Sequence, residues 1–257
     1  MKPAMRARDK ACTEHSFRAG KRGTYLLLHC LSVLALTGIG QAHGAAKDDP
    51  VLTMAKLDQF EVRDADESDP LVIEGQAWIG QDLKKLWLKA EFEYADSGTE
   101  EVELQALYSR AIAPFWDVQV GLREDFQPNP SRSWAVLGIQ GLAPYFFEVD
   151  AAVFLGESGR TALRLEAEYE LLFTQRLILT PEMEINFFGQ NDRATSTGSG
   201  LSEIELGLRL RYEIRREFAP YIGINWSRKY GNTADFSRLE GVNVSDTQFV
   251  AGVRAWF

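Results

Sequence analysis

Apolar and polar residues alternate with a period of two along most of this chain. In residues 201–215, apolar side chains occupy the even positions from 204 to 214, and charged side chains occupy nearly all the odd ones. Residues 84–94, 145–155 and 160–173 show the same alternation. Successive side chains of a β-strand point to opposite faces, so this period predicts strands with one apolar and one polar face.

Two of these segments are rich in Ala, Leu, Glu and Arg, which individually favour helices. A helix, however, needs apolar residues at spacings of three and four. In residues 160–173 they recur at spacings of two instead, which would scatter Leu and Glu around the whole circumference of a helix. The pattern therefore favours strands despite the propensities.

Turn-forming residues separate the alternating segments into units long enough to cross a bilayer. Tilted strands of about 9–11 residues span about 30 Å of hydrocarbon, and closed bacterial barrels have an even number of them. Lipid cannot satisfy an open sheet edge, so a membrane-spanning sheet must close. The pattern predicts twelve strands, at residues 57–63, 71–80, 83–95, 101–113, 115–126, 132–142, 144–156, 160–173, 176–188, 201–215, 219–230 and 246–257.

The last thirteen residues alternate in the same way and stop on an aromatic residue, Phe257. An edge strand of a soluble antiparallel sheet could also alternate, but the rest of the chain favours a barrel. We therefore predict an all-β fold, a transmembrane antiparallel β-barrel of about 12 strands closed by the C-terminal strand ending in Phe257. The long turn-rich insertions 189–200 and 231–244 follow the ninth and eleventh strands, which predicts that both are extracellular loops.

The first 44 residues have the order of a secretory signal peptide. Residues 1–22 carry seven basic and two acidic residues, and an apolar run leads to small residues at 42–46. This order predicts a signal peptide over 1–44, cleaved within 42–46, then a short flexible segment over 45–56 and the barrel over 57–257. Export and a barrel together predict the outer membrane of a Gram-negative bacterium.

Without this leader the chain has neither Cys nor His and only two Met residues. Subtracting the leader's seven basic and two acidic residues from totals of 28 and 37 leaves 21 and 35, a net charge of −14. The composition excludes disulfides, a Ser–His–Asp triad and the usual zinc sites, so we do not expect an enzyme. The acidity argues against nucleic acid and favours cationic partners alongside the outer-membrane lipid.

Acidic residues also outnumber basic ones on the predicted inward face. Acids and bases of neighbouring strands could pair and fill a narrow lumen. Alternatively, the excess of acids could form a path that attracts cations. Eight-stranded barrels are filled by side chains and barrels of sixteen strands leave a channel, so twelve strands are compatible with both interpretations.

Long stretches of the chain resemble the copper resistance protein B family of Gram-negative outer membranes. The resemblance covers residues 57–257. It implies a barrel that acts in copper tolerance, binding copper ions or moving them outward from the periplasm, with a periplasmic copper protein as partner. The strongest stretches are LKKLWLKAEFE (83–93), QALYSRAIAPFWDVQVGLREDF (105–126), residues 138–189, GSGLSEIELGLRLRYEIRREFAPYIGINW (198–226) and SDTQFVAGVRAWF (245–257).

The chain departs from this family ahead of the barrel. Many members carry a Met- and His-rich segment there, and thioether and imidazole groups suit copper, but residues 45–56 offer Met54 alone. The resemblance then leaves weakly selective inward carboxylates and two methionines as candidate copper ligands, although the alternation points Met183 outward unless its strand bends at Pro181. These candidates are Met54, Asp117, Glu148, Asp150, Glu166, Glu168, Glu170, Glu182, Met183, Glu184, Glu203 and Glu205.

We therefore expect an outer-membrane copper resistance protein that binds copper weakly or passes it outward from the periplasm. Two alternatives remain open. One is a porin-like barrel without metal preference, and the other is a structural barrel that is sealed by ion pairs and docks a partner at its periplasmic end. Both Cu(I) and Cu(II) are compatible with the sequence.

Overall fold

The computed structural model describes residues 49–65, 69–95 and 98–257. The predicted signal peptide and its cleavage site lie outside the described residues. Within them the chain forms strands, one α-helix, α1 (Gly231–Glu240), and two 3-10 turns (Pro144–Phe146 and Glu157–Gly159). The strands are β1 (Leu52–Asp64), β2 (Leu71–Gln81), β3 (Lys84–Ala95), β4 (Gly98–Ala113), β5 (Trp116–Gln127), β6 (Arg132–Ala143), β7 (Phe147–Gly156), β8 (Thr161–Glu168), β9 (Leu171–Leu172), β10 (Leu177–Phe188), β11 (Gly200–Tyr212), β12 (Phe218–Lys229) and β13 (Ser245–Trp256).

The strands form one antiparallel sheet that closes on itself. Each strand pairs with the next one in sequence, except that β8 and the short β9 both pair with β10 and not with each other. β13 also pairs with β1. At this seam the backbones of Ala55 and Phe257 exchange two hydrogen bonds of 3.0 and 2.8 Å. Because β9 continues the line of β8 along β10, the barrel has twelve strand positions. The predicted twelve-stranded antiparallel barrel, closed by the C-terminal strand, is confirmed.

The two faces of the barrel reverse the usual distribution of apolar and polar side chains. Outward-facing Leu122, Ile222 and Phe249 are each more than 60% exposed, whereas inward-facing Glu61 and Asn225 are each 1% exposed. Such an outer surface is stable against lipid, and a closed sheet leaves no backbone group of its edge unpaired there. The fold is therefore a transmembrane β-barrel.

Two strand boundaries differ from the prediction. β1 begins at Leu52, so residues 52–56, predicted to be part of a flexible segment, lie in the sheet. The predicted strand 160–173 is interrupted between β8 and β9, opposite Pro181 of β10. Proline has no N–H to donate to the neighbouring strand. The Pro181 carbonyl still accepts a hydrogen bond from the Tyr169 N–H at 3.1 Å.

The long connections gather at one end of the barrel, which we call the loop end; the opposite end is the turn end. Residues 189–199 and 230–244 follow the ninth and eleventh strand positions, as predicted. The prediction missed helix α1 inside the second connection. The helix is terminated by Gly241, which adopts the left-handed conformation with a φ of 79°. No helix of the described residues has the length and apolarity needed to cross a membrane.

Candidate functional site

The inward face encloses two polar cavities, one toward each end of the barrel. The turn-side cavity has a volume of about 480 Å³ and the loop-side cavity about 530 Å³. Eleven acidic and five basic residues line the first, and twelve acidic and six basic residues line the second. The lumen is therefore acidic along its length.

Six residues line both cavities and so mark the junction between them, which we call the waist. Four of them are carboxylates, and the other two are an arginine and a glutamine. The waist residues are Gln59, Glu74, Glu91, Arg164, Glu184 and Glu205.

The waist carboxylates belong to rows of acids that are directly opposite one another in the sheet. Asp150, Glu166, Glu184 and Glu205 face each other in succession across β7, β8, β10 and β11. Directly opposed like charges destabilise a sheet, so nearby cations must offset this row. A second row crosses β2 to β5 and consists of Glu74, Glu91, Glu103 and Asp125.

Arg164 of β8 is the main compensating charge at the waist. Its guanidinium donates to Glu103 of β4 at 3.3 and 3.0 Å, and lies 3.4 Å from Glu184 and 3.8 Å from Glu91. Arg123 reaches the same Glu103 at 2.7 Å. One arginine therefore joins four strand positions and ties both rows of acids together.

A second buried network is centred on Glu61 of β1. Its carboxylate accepts two hydrogen bonds from Arg209 at 3.0 and 2.9 Å, one from Arg63 at 2.8 Å and one from the Tyr221 hydroxyl at 2.9 Å. Arg63 also binds Glu205 at 3.1 Å, and Arg209 also binds Glu182. This network anchors the waist to the seam between the first and last strands.

Not every lumenal acid has such a partner. Glu74 at the waist, and Glu101 and Glu203 in the loop-side cavity, form no ion pair within the described part of the chain. Carboxylate oxygens of Glu91, Glu101 and Glu103 lie within 4.8 Å of one another. Because both arginines already occupy Glu103, this trio differs from an open metal site. Glu74, Glu101 and Glu203 are among the lumenal acids that no ion pair in the described residues occupies.

The structure brings most of the predicted ligands into the lumen. Glu203 lines the loop-side cavity, whereas Asp117 lies near Lys85 (3.8 Å) and Glu170 is bound to Arg211 (2.6 Å), and neither of these two borders a cavity. Those that line the turn-side cavity are Glu148, Asp150, Glu166, Glu168, Glu182, Glu184 and Glu205.

The two predicted methionine ligands are not brought together with these acids. Met183 is paired with Ala167 and Leu206 on the outward face and is 40% exposed. Met54 lies near the turn end of β1, opposite Trp78. Met183 points outward, as the alternation predicts, because the pairing of β10 with β11 passes Pro181 without a register shift. Its role as a copper ligand stays a prediction.

Sequence reasoning missed the inward residues of β1. The register shifts between Leu57 and Gln59, so Asp58 and Gln59 both line the turn-side cavity and Glu61 follows on the inward face. A β-bulge places an extra residue in one strand and breaks the two-residue period. In the sequence, the adjacent polar residues Asp58 and Gln59 interrupt the alternation and could have indicated this bulge.

Asp192 fixes the connection 189–199 to the barrel at the loop end. Its carboxylate accepts hydrogen bonds from Arg132 at 2.9 and 2.8 Å and lies 3.2 Å from Arg160. Burial alone would raise the pKa of Asp192, but the hydrogen bonds from Arg132 and from the Ala194 N–H, with the charge of Arg160, lower it on balance. Asp192 is therefore held as an anion.

Helix α1 is attached to the same end of the barrel. The Thr233 Oγ1 accepts a hydrogen bond from the Gly198 N–H at 2.8 Å and lies 2.8 Å from the Ser202 Oγ of β11. Thr233 and Ser237 line the loop-side cavity. The helix therefore covers part of the loop-end opening.

A closed barrel with an apolar exterior and an acidic interior defines a membrane-spanning β-barrel protein. Comparison with known proteins specifies it further. The chain matches the family model described as "Copper resistance protein B precursor (CopB)" over residues 51–257. It therefore belongs to the copper resistance protein B family.

Two relatives support this assignment. The chain is 45% identical over 217 residues to Copper resistance protein B of Escherichia coli, covering 84% of this chain and 73% of the relative. It is 46% identical over 200 residues to the Copper resistance protein B homolog of Pseudomonas syringae pv. tomato, covering 78% and 68%. Membership in the family implies a role in copper resistance.

Solved structures agree with the fold. The NanC porin superposes with a TM-score of 0.50 at 14% identity, covering 79% of this chain and 99% of the porin. At this identity the likeness concerns the barrel architecture alone.

Proposed function

We propose that the protein lies in the outer membrane and passes copper ions outward from the periplasm through its acidic lumen, binding them weakly at the waist. The observation that carries the proposal is the waist, where four carboxylates and one arginine line the junction of two acidic cavities. A passage lined by one sign of charge concentrates ions of the opposite sign.

The proposed orientation decides which cavity copper would enter first. In outer-membrane barrels the turns face the periplasm and the long loops face outward, which would place the turn-side cavity on the periplasmic side. Copper, in free form or delivered by a periplasmic copper protein, would then enter from the turn end. Carboxylates bind copper ions without high selectivity.

The structure indicates which acids to neutralise in a test. Glu168 and Glu182 bind Arg254 and Arg209, so their loss would also break ion pairs of two buried arginines. Among the described residues Glu74, Glu101 and Glu203 form no ion pair, so their replacement removes carboxylates from the lumen without breaking one.

The triple variant Glu74→Gln, Glu101→Gln, Glu203→Gln should lower copper tolerance toward that of a strain lacking the gene, because the lumen would concentrate fewer cations. The measurement is growth across a copper series, with equal barrel levels verified in isolated outer membranes. A matched control removes the same charge outside the cavities, as Glu157→Gln, Glu217→Gln, Asp235→Asn. It should grow like the wild type. Wild-type tolerance in the triple variant would contradict the proposal.

A second candidate is a barrel that ion pairs hold shut. Three pairs, Lys89–Asp150, Arg164–Glu103 and Arg254–Glu168, each join strands four positions apart. Buried pairs of this kind can fill a lumen and fix its shape. Such a barrel would contribute to copper resistance as a scaffold, and it would pass no copper when purified.

A further inference from the structure

Two amide oxygens on the inner wall are buried without a hydrogen-bond donor among the described residues. They are Oδ1 of Asn225 on β12 and Oε1 of Gln248 on β13. The two residues are directly opposite one another in the sheet, where Cβ atoms lie about 4.5–5.5 Å apart. Native proteins satisfy nearly all buried polar groups, so two neighbouring unsatisfied acceptors require an explanation.

Neighbouring acids fix the orientation of both amides. The Asn225 Nδ2 donates to Glu205 Oε1 at 2.9 Å, and the Gln248 Nε2 donates to Asp246 Oδ2 at 2.9 Å. Rotating either amide would place its oxygen against a carboxylate. The nitrogens must therefore face the acids, which leaves the two amide oxygens free to accept.

Glu205 adds a third oxygen beside them. Arg63 and Asn225 both donate to its Oε1, so Oε2 has no donor in the described residues. Glu205 is a waist residue, and Glu184 faces it directly from β10. One carboxylate oxygen and two amide oxygens without a donor among the described residues therefore lie on three adjacent strands of the inner wall. Asn225 borders the turn-side cavity, Gln248 borders the loop-side cavity, and Glu205 borders both.

We propose that Glu205, Asn225 and Gln248 form a divalent cation site beside the waist, and that this site takes copper as Cu(II) rather than Cu(I). The inference rests on the proposed function, because it names the form of copper that the lumen would pass. A cation would satisfy both amide oxygens at once and reduce the repulsion between Glu184 and Glu205.

The ligand chemistry selects the oxidation state. Carboxylate and carbonyl oxygens suit divalent cations, whereas Cu(I) prefers thiolate and thioether sulfur. From residue 45 onward the chain has no Cys or His, Met183 faces outward and Met54 lies near the turn end. Among divalent ions, Cu(II) binds a given set of oxygen ligands more tightly than Ni(II) or Zn(II).

The test is a titration of the purified protein in detergent with Cu(II), with Zn(II), and with Cu(I) under reducing, oxygen-free conditions. The variant Asn225→Leu, Gln248→Leu should weaken Cu(II) binding by about tenfold or more, the scale reported for lost groups around a metal. The control Gln119→Leu removes another buried lumenal amide, one that donates to a neutral oxygen of Gln140. It should change the affinity by less than about twofold.

A spectroscopic measurement identifies the ligand atoms directly. Electron paramagnetic resonance of Cu(II) on the wild-type protein should show oxygen ligands and no nitrogen hyperfine splitting. Equal Cu(II) affinity in the double variant, tighter binding of Cu(I) than Cu(II), or nitrogen hyperfine splitting would each overturn this site. If one of those results is obtained and the purified barrel still passes copper, the site is wrong and the proposed function stands. If the purified barrel passes no copper, the proposed function itself is wrong.

Discussion

Replacing Glu61 by leucine should destabilise the barrel by about 3–5 kcal/mol, the typical cost of removing one partner from a buried ion pair. Glu61 is 1% exposed and accepts hydrogen bonds from Arg63, Arg209 and Tyr221. Leucine fills similar space but leaves two buried guanidinium groups without their shared carboxylate. Equilibrium unfolding in urea, with the barrel in detergent micelles or thin bilayers, measures this loss.

Two comparisons isolate the electrostatic cause. Asp235→Asn breaks an exposed pair with Arg238 and should cost less than about 1 kcal/mol. Adding Arg209→Met to Glu61→Leu removes one of the two arginines that lost their carboxylate. It should recover part of the lost stability, because replacing both partners of a buried ion pair by apolar residues costs far less than removing one partner. A cost for Glu61→Leu no larger than that of the surface pair would contradict the role of this network.

Replacing Glu74 by lysine should weaken the cation preference of the lumen by about tenfold or more. A unit charge about 8 Å from an ion changes the energy of that ion by roughly 0.5 kcal/mol even in a water-like dielectric. Replacing a carboxylate by an ammonium group changes the charge at the waist by two units. The change disfavours cations and favours anions, so both effects lower the ratio of cation to anion permeability. The reversal potential of the barrel in a planar bilayer, under a salt gradient, measures the ratio of cation to anion permeability.

Glu217→Lys makes the same change of charge on the exposed turn 213–217, where salt screens it. It should leave the reversal potential close to that of the wild type. If Glu74→Lys also leaves the potential unchanged, the path of ions does not pass the waist residues named here.

The period of two predicted the barrel because lipid and lumen impose opposite requirements on alternate residues. A one-residue slip would put charges into lipid, so the pattern survives along the full length of strands such as β11. The same constraint explains why the outward position of Met183 could be predicted. It also explains the position of Phe257, which the seam with Ala55 confirms.

The arrangement inside the lumen could not be predicted in the same way. Alternation assigns a residue to a face but not to a height along the barrel axis, so it could not show that Arg164 meets Glu103 four strands away. The bulge near Leu57 concealed Glu61, and α1 lies in a connection without strand period. Asn225 is a neutral amide, and a search for charged residues passes over it.

Copper entry into vesicles that contain the purified barrel tests the proposed passage without other cellular components. A copper-sensitive dye inside the vesicles reports entry after copper is added outside. The acidic lumen predicts entry at least about ten times faster than in protein-free vesicles, and distinctly slower entry through the Glu74→Gln, Glu101→Gln, Glu203→Gln variant. Entry no faster than in protein-free vesicles would contradict a copper path through this barrel and would favour the sealed scaffold.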